Sequence, residues 1–62
     1  MKNNVRRYRE DLTWTKAKLA RESDVAQYTI AKMEKGEPTR RDSQLKVAKA
    51  LGETHKDVFP DD

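Results

Sequence analysis

An all-α fold of five short helices is what this 62-residue sequence predicts, and three observations carry the prediction. Apolar residues recur at the three- and four-residue spacings of amphipathic helices. The runs are separated by residues that start or stop helices, among them Thr15, Asp24, Gly36, Gly52 and Thr54. No stretch alternates with the period of two that a half-buried strand requires. The chain is organised around the stretch from Thr15 to Gly36, TKAKLARESDVAQYTIAKMEKG, which reads as two short helices meeting at a turn near Asp24.

Residues 3–12 form the first predicted helix, with Val5, Tyr8, Arg9 and Leu12 on one side, Asn4 as its cap and Arg6 and Arg7 toward the outside. Tyr8 reads as a packing residue at the edge of the core. Thr13 and Trp14 lead to a second helix, residues 15–22, which opens on the Thr15 hydroxyl and turns Leu19 and Ala20 inward. Ser23 and Asp24 break it, Asp24 at a positive φ that Asp and Asn tolerate better than most side chains. The third helix, residues 26–35, buries a stripe of Val25, Ile30 and Met33, stops at a left-handed Gly36 and cannot continue through Pro38. Beyond the basic-ended loop Glu37-Pro38-Thr39-Arg40-Arg41, Asp42 or Ser43 caps a fourth helix, residues 42–51. That helix offers Leu45, Val47, Ala48 and Leu51 to the core and leaves Lys46 and Lys49 outside. Gly52 ends it. Thr54 with Asp57 three residues on resembles a capping box and starts a short fifth helix, residues 54–59. Pro60-Asp61-Asp62 reads as a frayed tail.

Length and composition narrow the function. Residues 1–62 make one domain, and a chain of this size buries only about 60% of its unfolded surface, which leaves little room for an enzyme pocket. The chain has no cysteine and one histidine, so thiolate metal sites and disulfides are excluded, and no cofactor is expected. No apolar run approaches the ~20 residues of a membrane span, and Met1-Lys2-Asn3-Asn4 lacks the apolar segment of a secretory signal, so a soluble, cytoplasmic protein is expected. Catalysis needs coupled titratable groups in a concave site, and the carboxylates here lie at helix ends and in the tail; the reading is not an enzyme. Charge is unevenly spread: residues 1–52 hold 13 bases and 7 acids, residues 53–62 one base and four acids. A basic body with an acidic tail suits a polyanionic partner.

The outward side of the third helix carries Gln27, Tyr28, Ala31, Lys32 and Lys35, and is left for solvent or a ligand. Nine helical residues span roughly 13 Å, close to the ~12 Å width of a DNA major groove. Glutamine can grip adenine through N6 and N7, lysine can donate to guanine O6 and N7, and a tyrosine ring can press on a thymine methyl.

Leu19, Ala20, Ser23-Asp24, Val25, Ile30 and Met33-Glu34-Lys35-Gly36 together resemble the helix-turn-helix of the lambda repressor and Cro family, and the match continues through Leu45, Ala48, Leu51-Gly52 and Val58-Phe59. The resemblance implies a compact five-helix domain with the helix-turn-helix formed by helices 2 and 3, and a sequence-specific transcriptional regulator, a repressor in type. It implies double-stranded DNA as partner, bound by a homodimer on a palindromic operator. By the same resemblance Gln27, Tyr28 and Lys32 contact base edges; Thr15, Lys16, Thr39, Arg40 and Arg41 contact phosphates; Arg9 and Glu34 form an ion pair tying the first helix to the third; and Val58 and Phe59 lie where relatives build a dimer contact, or else close the core. Lys16 stands where the family usually has glutamine, and Trp14 where it usually has leucine. The same fold also serves as a protein-interaction module, in antitoxins and adaptors, so a protein partner is the alternative expectation.

Overall fold

The computed structural model describes residues 2–61; Met1 and Asp62, the last acid of the tail, lie outside the described residues. Among the described residues five helices account for the regular structure: α1 (Val5–Asp11), α2 (Lys16–Ser23), α3 (Gln27–Glu34), α4 (Arg41–Leu51) and α5 (His55–Val58). Their inward side chains, led by Phe59, Leu19, Ile30, Met33, Val5 and Val47, form one apolar cluster, with Tyr8, Trp14 and Ala20 packed at its margin. Among the described residues no helix is long and apolar enough to cross a membrane.

Each boundary has a local cause. The Thr15 hydroxyl accepts the Lys18 N–H at 3.0 Å and satisfies one of the donors that the start of α2 leaves open. Asp24 closes α2 in the left-handed region, φ 57° and ψ 39°, and turns the chain into α3. Gly36 and Gly52 take φ 81° and 76° after α3 and α4, the conformation that glycine adopts at least cost. The Thr54 hydroxyl accepts the Asp57 N–H at 3.2 Å. The reciprocal half of that capping box is not made: aspartate is one methylene shorter than the usual glutamate, and its carboxylate does not return to the Thr54 N–H.

Four expectations need correction. Asn4 caps nothing with its side chain; Asn3 does, its Oδ1 accepting the Val5 N–H at 3.1 Å. Asn4 instead donates through its backbone N–H to the Val58 carbonyl at 2.7 Å and through Nδ2 to the Asp57 carbonyl at 2.9 Å, while Asn3 Nδ2 donates to the Met33 carbonyl at 2.7 Å. The segment before α1 therefore ties the last turn of α3 to α5. Neither Asp42 nor Ser43 caps α4, which begins one residue earlier; Asp42 sits in its first turn and accepts the Ser43 N–H. Leu12 closes α1 as its C-cap and is exposed.

The fourth correction concerns the register of α4. Leu45 is 46% exposed, and the core position belongs to Gln44, 2% exposed. Gln44, Val47, Ala48 and Leu51 follow the i, i+3, i+4, i+7 rhythm of one helix face, and Leu45 is about 100° off it. The buried amide is affordable because both its ends are bonded: Nε2 donates to the Thr39 carbonyl and hydroxyl oxygens, each at 3.2 Å, and Oε1 lies 2.8 Å from His55 Nε2.

Thr13, in the α1–α2 link, also takes a positive φ, 61°. A β-branched side chain in that region is strained, at a cost of order 1–2 kcal/mol. Thr13→Gly is expected to stabilise the protein by about 0.5 to 1 kcal/mol, the relief of strain outweighing the added freedom of the unfolded chain. A thermal melt should shift upward by a few degrees; an unchanged or lower midpoint would mean that the Thr13 backbone carries no such strain.

Candidate nucleic-acid interface

The turn that ends α2 is tight enough to bring α3 out against it. The Val25 N–H returns to the Ala20 carbonyl at 3.2 Å, and the buried Ser23 hydroxyl donates to the Leu19 carbonyl at 2.7 Å, so the last polar groups of α2 are bonded inside the turn. Ile30 and Met33 anchor α3 in the core. The opposite side, beginning with Gln27 and Tyr28 and continuing one turn later at Lys32, is exposed, Tyr28 by 72%. Among the described residues the side chains of Gln27, Tyr28 and Lys32 make no hydrogen bond or ion pair with the rest of the chain, so a ligand would break no internal bond to reach them.

The chain after Gly36 folds back beside this helix. Tyr28, Thr29 and Lys32 of α3, Thr39 and Arg40 of the loop and Ser43 and Lys46 of α4 line one open groove of about 530 Å³, together with Asp24 to Ala26 of the turn. Its charged lining is Lys32, Arg40 and Lys46 against Asp24 alone, an excess that attracts a polyanion. A second notch, about 420 Å³, lies between the N-terminal segment and the end of α3; its charges are Lys2 and Lys35 against Glu34 and Asp61, and they balance. By lining charge alone the α3–α4 groove carries the greater positive excess, and Asp61 of the acidic tail belongs to the other notch.

Of the residues named from the sequence, Tyr28, Lys32, Thr39 and Arg40 share that groove. Gln27 is exposed in the first turn of α3, and Thr15 and Lys16 are exposed at the start of α2. The Thr15 hydroxyl is occupied by its own helix as a cap, which leaves its backbone end of the helix and the Lys16 ammonium for an anion. Arg41 is exposed in the first turn of α4. Arg40 Nε lies 3.5 Å from Asp42 Oδ1, with side chains 86% and 62% exposed; such a solvated pair is worth about 0–1 kcal/mol and holds Arg40 only weakly. Lys46 is the groove cation absent from the site residues named from the sequence. Its place, four residues after Asp42 on a helix whose start lies against the loop, becomes visible only when the loop is folded.

Arg9 and Glu34 support the site from behind. Arg9 Nε and Nη2 meet the two carboxylate oxygens of Glu34 at 2.7 and 3.1 Å, and Nη1 donates to the Trp14 carbonyl at 2.8 Å. Their side chains are only 10% and 7% exposed. The bond from Glu34 holds the Arg9 guanidinium above its ordinary pKa, against the opposing effect of burial. One bidentate pair thus joins α1, the α1–α2 link and the end of α3.

Val58 and Phe59 turn inward. They are 0% and 1% exposed, inside the core, with the His55 ring stacked on Phe59 at 5.2 Å between centroids. Of the two places the resemblance leaves open for them, this burial supports closing the core: α5 has only four residues, and these two side chains hold it to the body.

A short supporting helix, a left-handed turn and an exposed second helix anchored by its own apolar stripe define a helix-turn-helix DNA-binding domain. The chain belongs to the lambda repressor and Cro type of helix-turn-helix family, whose model matches residues 5–58, and is a DNA-binding regulator. No curated protein and no solved structure matches it.

Proposed function

We propose that the protein is a sequence-specific transcriptional repressor that inserts α3 in the major groove, with Gln27, Tyr28 and Lys32 at base edges. Thr15, Lys16, Thr39, Arg40 and Arg41 hold the DNA backbone on either side. The observation that supports this most is the groove in which Tyr28 and Lys32 of α3 stand beside Thr39 and Arg40 of the following loop, because base readout needs a backbone clamp to fix the helix in register. One such helix reads few base pairs. Two copies on a palindrome, with half-sites about 34 Å apart, give the length of site a regulator needs, and the proposed setting is the cytoplasm.

Selection of bound duplexes from a random pool tests the whole reading: a palindromic winner supports the dimer, and a pool that never enriches removes sequence specificity. On the selected site Gln27→Ala is expected to weaken binding by about 1 to 3 kcal/mol while barely changing binding to unrelated duplex. Equal losses on both would take Gln27 out of base readout. Arg40→Ala is expected to weaken all sequences alike and to reduce the salt slope by about one unit.

A further inference from the structure

A chain of side-chain hydrogen bonds runs from α5 through the core to the loop beside α3. Gln44, 2% exposed on α4, donates through Nε2 to both oxygens of Thr39 at 3.2 Å and meets His55 Nε2 through Oε1 at 2.8 Å. The polarity of the chain follows from chemistry. A backbone carbonyl only accepts, so the Gln44 amide nitrogen must face Thr39; its oxygen then faces His55, and His55 must carry a proton on Nε2. The His55 ring is held in turn by stacking on Phe59. Thr39 is next to Arg40, and backbone bonds fix the loop at its two ends, with the Gly36 N–H on the Met33 carbonyl, the Glu37 N–H on the Lys32 carbonyl and the Gln44 N–H on the Arg40 carbonyl. Pro38 has no N–H to give. The middle of the loop is thus pinned to the body by Gln44.

We propose that Gln44 and His55 are positioning residues for the DNA contact: the His55–Gln44–Thr39 relay fixes the Thr39-Arg40 segment from inside the core, so that its groups meet the DNA backbone pre-oriented. This rests on the loop's reading as a phosphate contact. An apolar side chain in place of Gln44 would fill the same space, yet it would leave the loop tied at its ends alone, and ordering it on DNA would then cost binding energy. Polar bonds of this kind, net, correspond to about threefold to tenfold in an equilibrium constant.

The test measures binding to a mixed-sequence duplex of about 20 base pairs across a salt series, for the full chain and for Gln44→Leu, His55→Ala, Arg40→Ala and the Gln44→Leu/Arg40→Ala double variant. Gln44→Leu is expected to weaken binding about threefold to tenfold with helicity retained, and most of that loss should vanish when Arg40 is already alanine. The same loss in both backgrounds, or none in either, overturns the relay. An Arg40→Ala slope equal to that of the unaltered chain overturns the phosphate reading itself, and the relay with it. Should Gln44→Leu fail to fold, His55→Ala, at a half-buried site beside the core, decides: weakened binding supports the relay, unchanged affinity and slope overturn it. Ring nitrogen NMR of the unaltered chain gives an independent readout, expected to show a proton on Nε2 of His55; a proton on Nδ1 alone overturns the assignment.

Discussion

Glu34→Ala is expected to cost about 3 to 5 kcal/mol of folding stability, because it leaves the Arg9 guanidinium charged and without its partner in a site that water barely reaches. For a chain of 62 residues the whole stability is of order 3–9 kcal/mol, so a large share of the variant should be unfolded at room temperature. Arg9 makes two bonds to Glu34 and a third to the Trp14 carbonyl. Arg9→Met combined with Glu34→Leu should recover much of the loss, since replacing both charges by apolar groups removes the stranded ion; the Trp14 carbonyl then loses its donor, which keeps the recovery incomplete. Urea unfolding of the single and double variants measures the coupling. Single-variant losses under about 1 kcal/mol would place Arg9 and Glu34 with ordinary screened surface pairs.

The pH dependence of this pair has a definite sign. A cation whose pKa is raised by folding contributes its stability in full below the unfolded value and loses it only as pH climbs through the folded one. For Arg9 the shift is upward, and the ordinary arginine value already lies above about pH 12. Raising the pH through the usual working range therefore leaves the Arg9 contribution intact, and any alkaline loss of stability there must come from other groups.

What could be read from the sequence was what local chemistry decides. Thr15, Asp24, Gly36, Gly52 and Thr54 act through their own hydroxyls or their own backbone angles, so the helix-turn-helix is written in residues close together in the chain. The register of α4 was different. Hydropathy alone puts Leu45 inside, but the helix can show only one face to the core, and Val47, Ala48 and Leu51 had already chosen it; Gln44 completes that face. A buried glutamine is acceptable only with partners for its amide, and those come from Thr39, five residues before it, and His55, eleven after. No period in the sequence announces them. The Asn3 and Asn4 bonds to Met33, Asp57 and Val58 were hidden for the same reason, since they join ends of the chain that only the folded core brings together. At the interface, residue types and helix spacing pointed to Gln27, Tyr28 and Lys32, whereas Lys46 enters the groove through the path of the loop.

Phe59→Ala is expected to be as damaging as the loss of Glu34, at about 3 to 5 kcal/mol for emptying a fully buried aromatic site. The effect should be the same at every protein concentration, because Phe59 fills the core of its own chain. A residue whose main contacts lay across a dimer would behave otherwise: its truncation would leave the helicity of the separate chain intact and alter only how melting depends on concentration. Far-UV circular dichroism melts at two concentrations about tenfold apart, with sedimentation on the same samples, separate the two behaviours. The loss should also reach the α3–α4 groove. Four residues cannot hold a helix unaided, so without Phe59 the α5 turn (His55–Val58) is left with Val58 and the two Asn4 bonds, and the His55 ring loses the surface it stacks on. Gln44 then loses its donor, and the Thr39-Arg40 segment its inner tether. Under conditions where Phe59→Ala is still mostly folded, duplex binding should therefore weaken by more than the unfolded fraction explains. Binding that simply tracks the folded fraction would show that α5 and the Thr39-Arg40 loop are not coupled through the core.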